Sequence, residues 1–166
     1  MYGKTLILAL LARQGYGQMP IPPMLCFECS QLVVDRPDPL VSAGFVPSPH
    51  LHQIVGGNSF NASMDPKTHD LPSASSCTSC TCSEDFSNYW TAVLFVRARN
   101  GTFKRVPQFV SEGLHGVGGI TVYYIPSTNN ETQVTAFKPG FRMLVEDATS
   151  TSPGPERKVC HRCMPA

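Results

Sequence analysis

The sequence predicts an all-β protein, a β-sandwich-like arrangement of antiparallel sheets joined by long Pro/Gly-rich loops. Three observations carry that prediction. Fifteen prolines and thirteen glycines in 166 residues cut the chain into short elements, which suits strands better than helix bundles. The apolar residues fall in short runs rich in β-branched and aromatic side chains, and beyond the first residues no segment sustains a helical period. Between the runs stand Gly, Pro, Ser and Asn, whose backbone preferences make turns. With 42% hydrophobic residues the chain can build one core. A formal net charge of +1 excludes the basic field that nucleic-acid binding requires.

Residues 1–17 read as a secretory signal peptide. Lys4 supplies the positive end, Leu6 to Ala12 the apolar run, and Gly15 and Gly17 the small residues at a cleavage site. The run is too short to span a bilayer, and no other stretch could cross one. An exposed N-terminal helix of a cytosolic protein is the alternative. Three N-x-Ser/Thr sequons, at Asn61, Asn100 and Asn130, favour export and an extracellular location, with these asparagines as candidate glycosylation sites.

Residues 18–28 form an extended spacer, stiffened by the prolines of Met19-Pro20-Ile21-Pro22-Pro23. The run 31–35 is β-prone and is stopped by Arg36-Pro37-Asp38-Pro39. A histidine-bearing strand lies within 48–58, and the polar residues 62–76 make a loop. Trp90 to Ala98 and Thr102 to Val106 form a hairpin, with Asn100-Gly101 suited to the two central positions of a type I′ turn. Further strands are expected over 120–125, 133–137 and 141–145. Residues 148–166, rich in Ser, Pro and charge, read as a disordered and unrelated tail.

His50 and His52 are the most conspicuous candidates for chemistry. Side chains at i and i+2 of a strand share a face, so the two imidazoles can donate nitrogen to one zinc or copper ion. Two ligands are too few, and His69, His115 or Asp85 would have to supply a third. The simpler alternative is a solvated polar pair. Glu84 and Asp85 are adjacent, an unsuitable placement for the opposed acids of a glycosidase. For Asp85 a turn-capping role is the preferred reading. Tyr89, Trp90, Tyr123 and Tyr124 are candidates to stack on a sugar ring, though alternation puts one of each adjacent pair into the core.

Seven cysteines include three C-x-x-C pairs. In a reducing compartment such pairs suit a tetrahedral zinc site, while export turns them into disulfide material. The odd count leaves at least one thiol without an intramolecular partner.

Several ordered motifs together resemble a known family. They are Cys29-Ser30-Gln31-Leu32-Val33-Val34, Asp38-Pro39-Leu40-Val41, and Pro49-His50-Leu51-His52-Gln53-Ile54-Val55-Gly56-Gly57-Asn58. Cys77-Thr78-Ser79-Cys80, Glu84-Asp85-Phe86-Ser87-Asn88-Tyr89-Trp90, Asn100-Gly101-Thr102, Val122-Tyr123-Tyr124 and Ala136-Phe137-Lys138-Pro139-Gly140-Phe141-Arg142-Met143 follow. The set is similar to a family of secreted fungal proteins known only as a domain of unknown function, whose members are sometimes joined to WSC carbohydrate-binding domains. The resemblance covers residues 29–147 and implies no established reaction. It implies that Cys29, Cys77 and Cys80 are the disulfide candidates, since Cys26 and Cys82 stand where the family tends to have other residues. Pro37 replaces a usual Leu and Glu146 a usual Gly. Family members continue into a second half with further cysteines and a histidine stretch, so the resemblance implies an incomplete sheet here. The expected function is binding or action on extracellular or cell-wall carbohydrate, with a His50/His52 site completed by that second half. The alternatives are a non-catalytic, disulfide-stapled matrix protein and an inactive fragment.

Overall fold

The computed structural model describes residues 24–108, 118–126, 133–145, 147 and 150. The expected signal peptide, His115, Asn130 and nearly all of 148–166 lie outside these residues. Seven strands and one short helix follow in order. They are β1 (Leu25–Ser30), β2 (Val33–Asp35), β3 (His52–Gly56), α1 (Leu71–Ala74), β4 (Asn88–Ala92), β5 (Phe95–Arg97), β6 (Phe103–Arg105) and β7 (Gly119–Tyr124). All strand pairs are antiparallel, in three open sheets: β1–β7, β2–β3–β4 and β5–β6. The architecture is all-β, as the sequence predicts, and the described sheets remain separate and open.

The core lies where the β1–β7 sheet meets β3. Phe27 and Cys29 alternate inward along β1, opposite Val122 and Ile120 of β7. Val55 of β3 and Cys80 complete the buried cluster, with Tyr89 and Tyr124 packed at its margin. Every residue of β3, the central strand of its sheet, is buried. Residues 25–28, read from sequence as spacer, are the first four residues of β1. Only Phe27 and Cys29 carry the inward alternation there, a short signal beside a proline run.

The segment 77–81 joins the two larger sheets. On one side Ser30 N donates to Ser79 O and Thr81 N to Glu28 O, both at 2.8 Å. On the other Ser79 N donates to Gly56 O at 2.9 Å and Asn58 N to Cys77 O at 3.1 Å. A disulfide between Cys29 and Cys80, 51 residues apart, closes this junction. Cys77, the third disulfide candidate, is an exposed free thiol, as is Cys26, while Cys82 is free and half-buried.

The backbone of 86–87 crosses β3 so closely that Gly56 and Gly57 are obligatory. Gly56 has φ +104°, and a Cβ there would lie 1.9 Å from Ser87 O. A Cβ on Gly57 would lie 2.4 Å from Phe86 O. The Gly-Gly step after the histidines therefore serves chain crossing.

Four local expectations are corrected. The run 90–98 is two strands: β4 pairs with β3, and beyond Val93 and Leu94 the chain leaves that sheet to form β5. The hairpin turn is centred on Arg99 and Asn100, since Gly101 N donates to Ala98 O at 2.9 Å. Gly101 follows it at φ +84°, the arrangement of a type I turn with a glycine bulge in place of type I′. Residues 133–137 and 141–145 are not strands. Lys138-Pro139-Gly140-Phe141 forms a tight turn, closed by Phe141 N to Lys138 O at 3.1 Å with Gly140 at φ +78°. That is type II chemistry, and among the described residues the flanking segments pair with no strand. The predicted loop 62–76 also holds α1, a single turn started by Pro72.

Replacing both Cys29 and Cys80 by Ala is expected to lower stability by about 4 kcal/mol, from restoring the entropy of a 51-residue loop to the unfolded chain. Urea unfolding of the variant, and of the wild type with and without reductant, measures it.

Candidate functional site

A groove of about 1800 Å³ runs along β4 and is a candidate ligand site among the described residues. Every residue from Ser87 to Ala92 lines it. β4 is the outer strand of its sheet among the described residues, so its free edge faces the groove. Pairing sorts the side chains. Trp90 lies opposite Ile54 and Ala92 opposite His52 on one face, while Tyr89 lies opposite Val55 on the other.

The histidines stand on the Trp90 face. His52 is 6% exposed and His50 is exposed, with ring centroids 6.1 Å apart and planes nearly perpendicular. The loop that delivers them is pinned by Arg36, whose Nε and guanidinium nitrogen donate to Ser48 O and Pro49 O at 2.8 and 3.0 Å. His52 Nδ1 lies 3.2 Å from Pro37 O. A carbonyl only accepts, so Nδ1 carries the proton and Nε2 keeps its lone pair in the neutral ring. Burial pushes the His52 pKa below its ordinary 6.5, partly opposed by Asp38 and the Pro37 carbonyl.

The expected third ligand does not join them among the described residues, where no group of three His, Cys, Asp or Glu could hold a metal. His69 Nε2 lies 3.3 Å from Ser59 Oγ. Asp85 is committed elsewhere. Its Oδ1 accepts from Ser87 N at 2.8 Å, the turn-capping role read from sequence. Its Oδ2 accepts from Tyr89 Oη at 2.6 Å and Tyr124 Oη at 3.3 Å, and the two phenol oxygens touch each other. Two protons serve three contacts, so Tyr124 shares its proton between the carboxylate and the Tyr89 oxygen. Burial first, then the Asp85 carboxylate, raises the Tyr89 pKa far above 10.0 and also raises that of Tyr124. Both phenols stay protonated through the physiological range. Glu84 accepts instead from Ser83 Oγ at 2.9 Å, so the adjacent acids have separate partners.

The stacking candidates divide as alternation requires. Tyr89 and Tyr124 flank the core, and Tyr123, 57% exposed, is outside the groove. Trp90 packs edge-on against Phe60 at 5.2 Å. The flattest aromatic surface is one that the sequence reading assigned to strands. Phe137 and Phe141 stack at 4.2 Å with planes 2° apart, and Tyr124 meets Phe137 edge-on at 5.9 Å. Both phenylalanines are about half exposed and line the groove. The Pro139-Gly140 turn brings them together, a signal present in the sequence. The turn is fixed to the body because a Cβ on Gly140 would lie 2.6 Å from Pro66 O and because an Arg142 guanidinium nitrogen donates to Met64 O at 2.8 Å. The sequon asparagines Asn61 and Asn100 are exposed.

A family model described as a domain of unknown function (DUF1996) matches residues 38–166, more than three quarters of the chain. The chain belongs to this family. The match takes in 148–166, which motif order alone places outside the DUF1996 domain. No curated protein and no solved structure matches the chain. His50/His52, the Asp85–Tyr89–Tyr124 group and all of the groove's lining except Met24 and Leu25 fall within the DUF1996 domain.

His52 gives a pH prediction. Its folded pKa lies below 6.5, so the unfolded chain takes up its proton first as pH falls, and stability contributed at neutral pH is lost below about 6.5. His52→Gln, which keeps a donor for Pro37 O, should flatten that loss. Urea midpoints measured from pH 7.5 to 5 for both proteins test it.

Proposed function

We propose that this DUF1996 domain is an exported, disulfide-stapled protein that binds extracellular or cell-wall carbohydrate in the groove beside β4. The observation that carries this reading is the Phe137–Phe141 stack next to Tyr124, Tyr89 and Asp85. A sugar ring offers an apolar face to a flat aromatic surface and hydroxyls to groups at its rim. Here the stack supplies the first and the phenol–carboxylate group the second. Export rests on the leader-like residues 1–17 and the sequons, with the Cys29–Cys80 bridge in keeping with an oxidising compartment. The motif resemblance supports a fungal source and the company of carbohydrate-binding modules.

A glycan array followed by calorimetry on retained oligosaccharides tests the reading. Wild type is expected to retain a subset of neutral glucan or chitin oligosaccharides, and Phe137→Ala to lose at least about 1 kcal/mol of binding for lack of the stacking surface. No retention on the array would remove the carbohydrate reading.

A second reading gives His50 and His52 a zinc or copper ion, with His115 as third ligand. It rests on His52 Nδ1 being held by Pro37 O, which leaves Nε2 available and orients the ring as the carbonyl partners of metal-bound histidines do. Purified protein is then expected to carry metal by elemental analysis, lost on His52→Gln. Metal-free protein that does not take up zinc or copper on addition would end this reading.

A further inference from the structure

Backbone hydrogen bonding in an antiparallel pair alternates along each strand. Gly57 N donates to Ser87 O at 3.2 Å and Val93 N to Leu51 O at 2.9 Å, so odd-numbered residues in and around β4 face β3. Asn88, Trp90 and Ala92 therefore turn their N–H and C=O groups away from β3, toward the groove that these residues line. Among the described residues nothing bonds to these outward main-chain groups. Asn88 Oδ1, at the start of the same strand, is also a buried acceptor without a partner.

A row of unpaired donors and acceptors is one half of a β-ladder, repeating at every second residue, about 6.8 Å. An extended polypeptide carries the other half at the same repeat. The groove adds a charge preference. Five carboxylates line it against two cations, Lys138 and Arg142, and Arg142 is already bonded to the carbonyls of Met64 and Phe141. A docked strand would alternate its side chains between the side of Trp90 and Phe60, which also carries His52, and the side of Tyr89 and the Asp85 carboxylate.

We infer that the free edge of β4 docks an extended, cationic polypeptide strand in which apolar residues alternate with Lys or Arg. Recognition is by strand addition, with main-chain bonds giving affinity and the two faces giving register. This goes beyond the carbohydrate reading, because it uses the backbone of β4 and not the Phe137–Phe141 surface.

The test uses the full-length chain and a capped octapeptide alternating valine and lysine. Trp90 is the only tryptophan, so its fluorescence reports the edge directly. Ala92→Pro removes an outward N–H without touching the bonds to β3, and proline is tolerated on an edge strand. Saturable one-to-one binding by wild type is expected, weakened about tenfold or more in Ala92→Pro through the lost bond and the added ring. A peptide N-methylated at alternate amides should lose binding to wild type likewise, which keeps the test decisive if the variant misfolds. Three results would overturn the inference: no saturable binding by wild type, equal binding of the N-methylated peptide, or equal binding of a valine–glutamate peptide. An oligosaccharide that shifts Trp90 fluorescence in place of the peptide, and fails to do so in Ala92→Pro, would assign the edge to sugar and overturn it too.

Discussion

The structure depends on one junction, where the segment 77–81 is held between β1 and β3. Its backbone bonds to both sheets, and the Cys29–Cys80 bridge makes the attachment covalent at the point where Cys29 is fully buried. Without it a two-stranded and a three-stranded sheet would meet through few apolar side chains: Phe27, Val55 and Val122 are the main ones. Small open sheets bury too little surface to be stable alone. The junction supplies order that the core cannot.

The same junction explains where the groove lies. Segment 77–81 occupies the end of β3 and leads into the chain that crosses over Gly56 and Gly57 before entering β4. β4 thus arrives on the outer side of β3 and ends up as an edge, with the 137–142 turn facing it from across the groove. Anchoring of that turn to Met64 and Pro66 holds the opposite wall. The groove is a consequence of how two crossing segments are pinned.

Within it the titratable groups are arranged by burial more than by charge pairing. His52 is kept neutral by a dry environment and oriented by Pro37 O, while His50 beside it is exposed. The Asp85 carboxylate is surrounded by donors, namely Ser87 N and two phenols. A carboxylate so bonded stabilises the corner of the groove and leaves its rim hydroxyls as the polar contacts a ligand would meet.

The sequence by itself determined the class of fold, the approximate position of β2, β3, β6 and β7, the hairpin at Asn100-Gly101, and the interest of His50, His52 and Asp85. Those features rest on local rules: alternation, turn residues and side-chain chemistry act over a few positions and are visible in a few residues. What only the tertiary structure decided is non-local. β1 is a strand because β7, about ninety residues further along the chain, pairs with it. Cys29 finds Cys80, and Cys77 does not bond, because backbone pairing places residue 80 beside β1. The β-prone runs at 133–137 and 141–145 stay irregular because no strand lies beside them among the described residues, so β propensity without a partner yields no ladder. Their phenylalanines meet instead across a Pro-Gly turn, and a stretch that read as two strands becomes the aromatic wall of the groove.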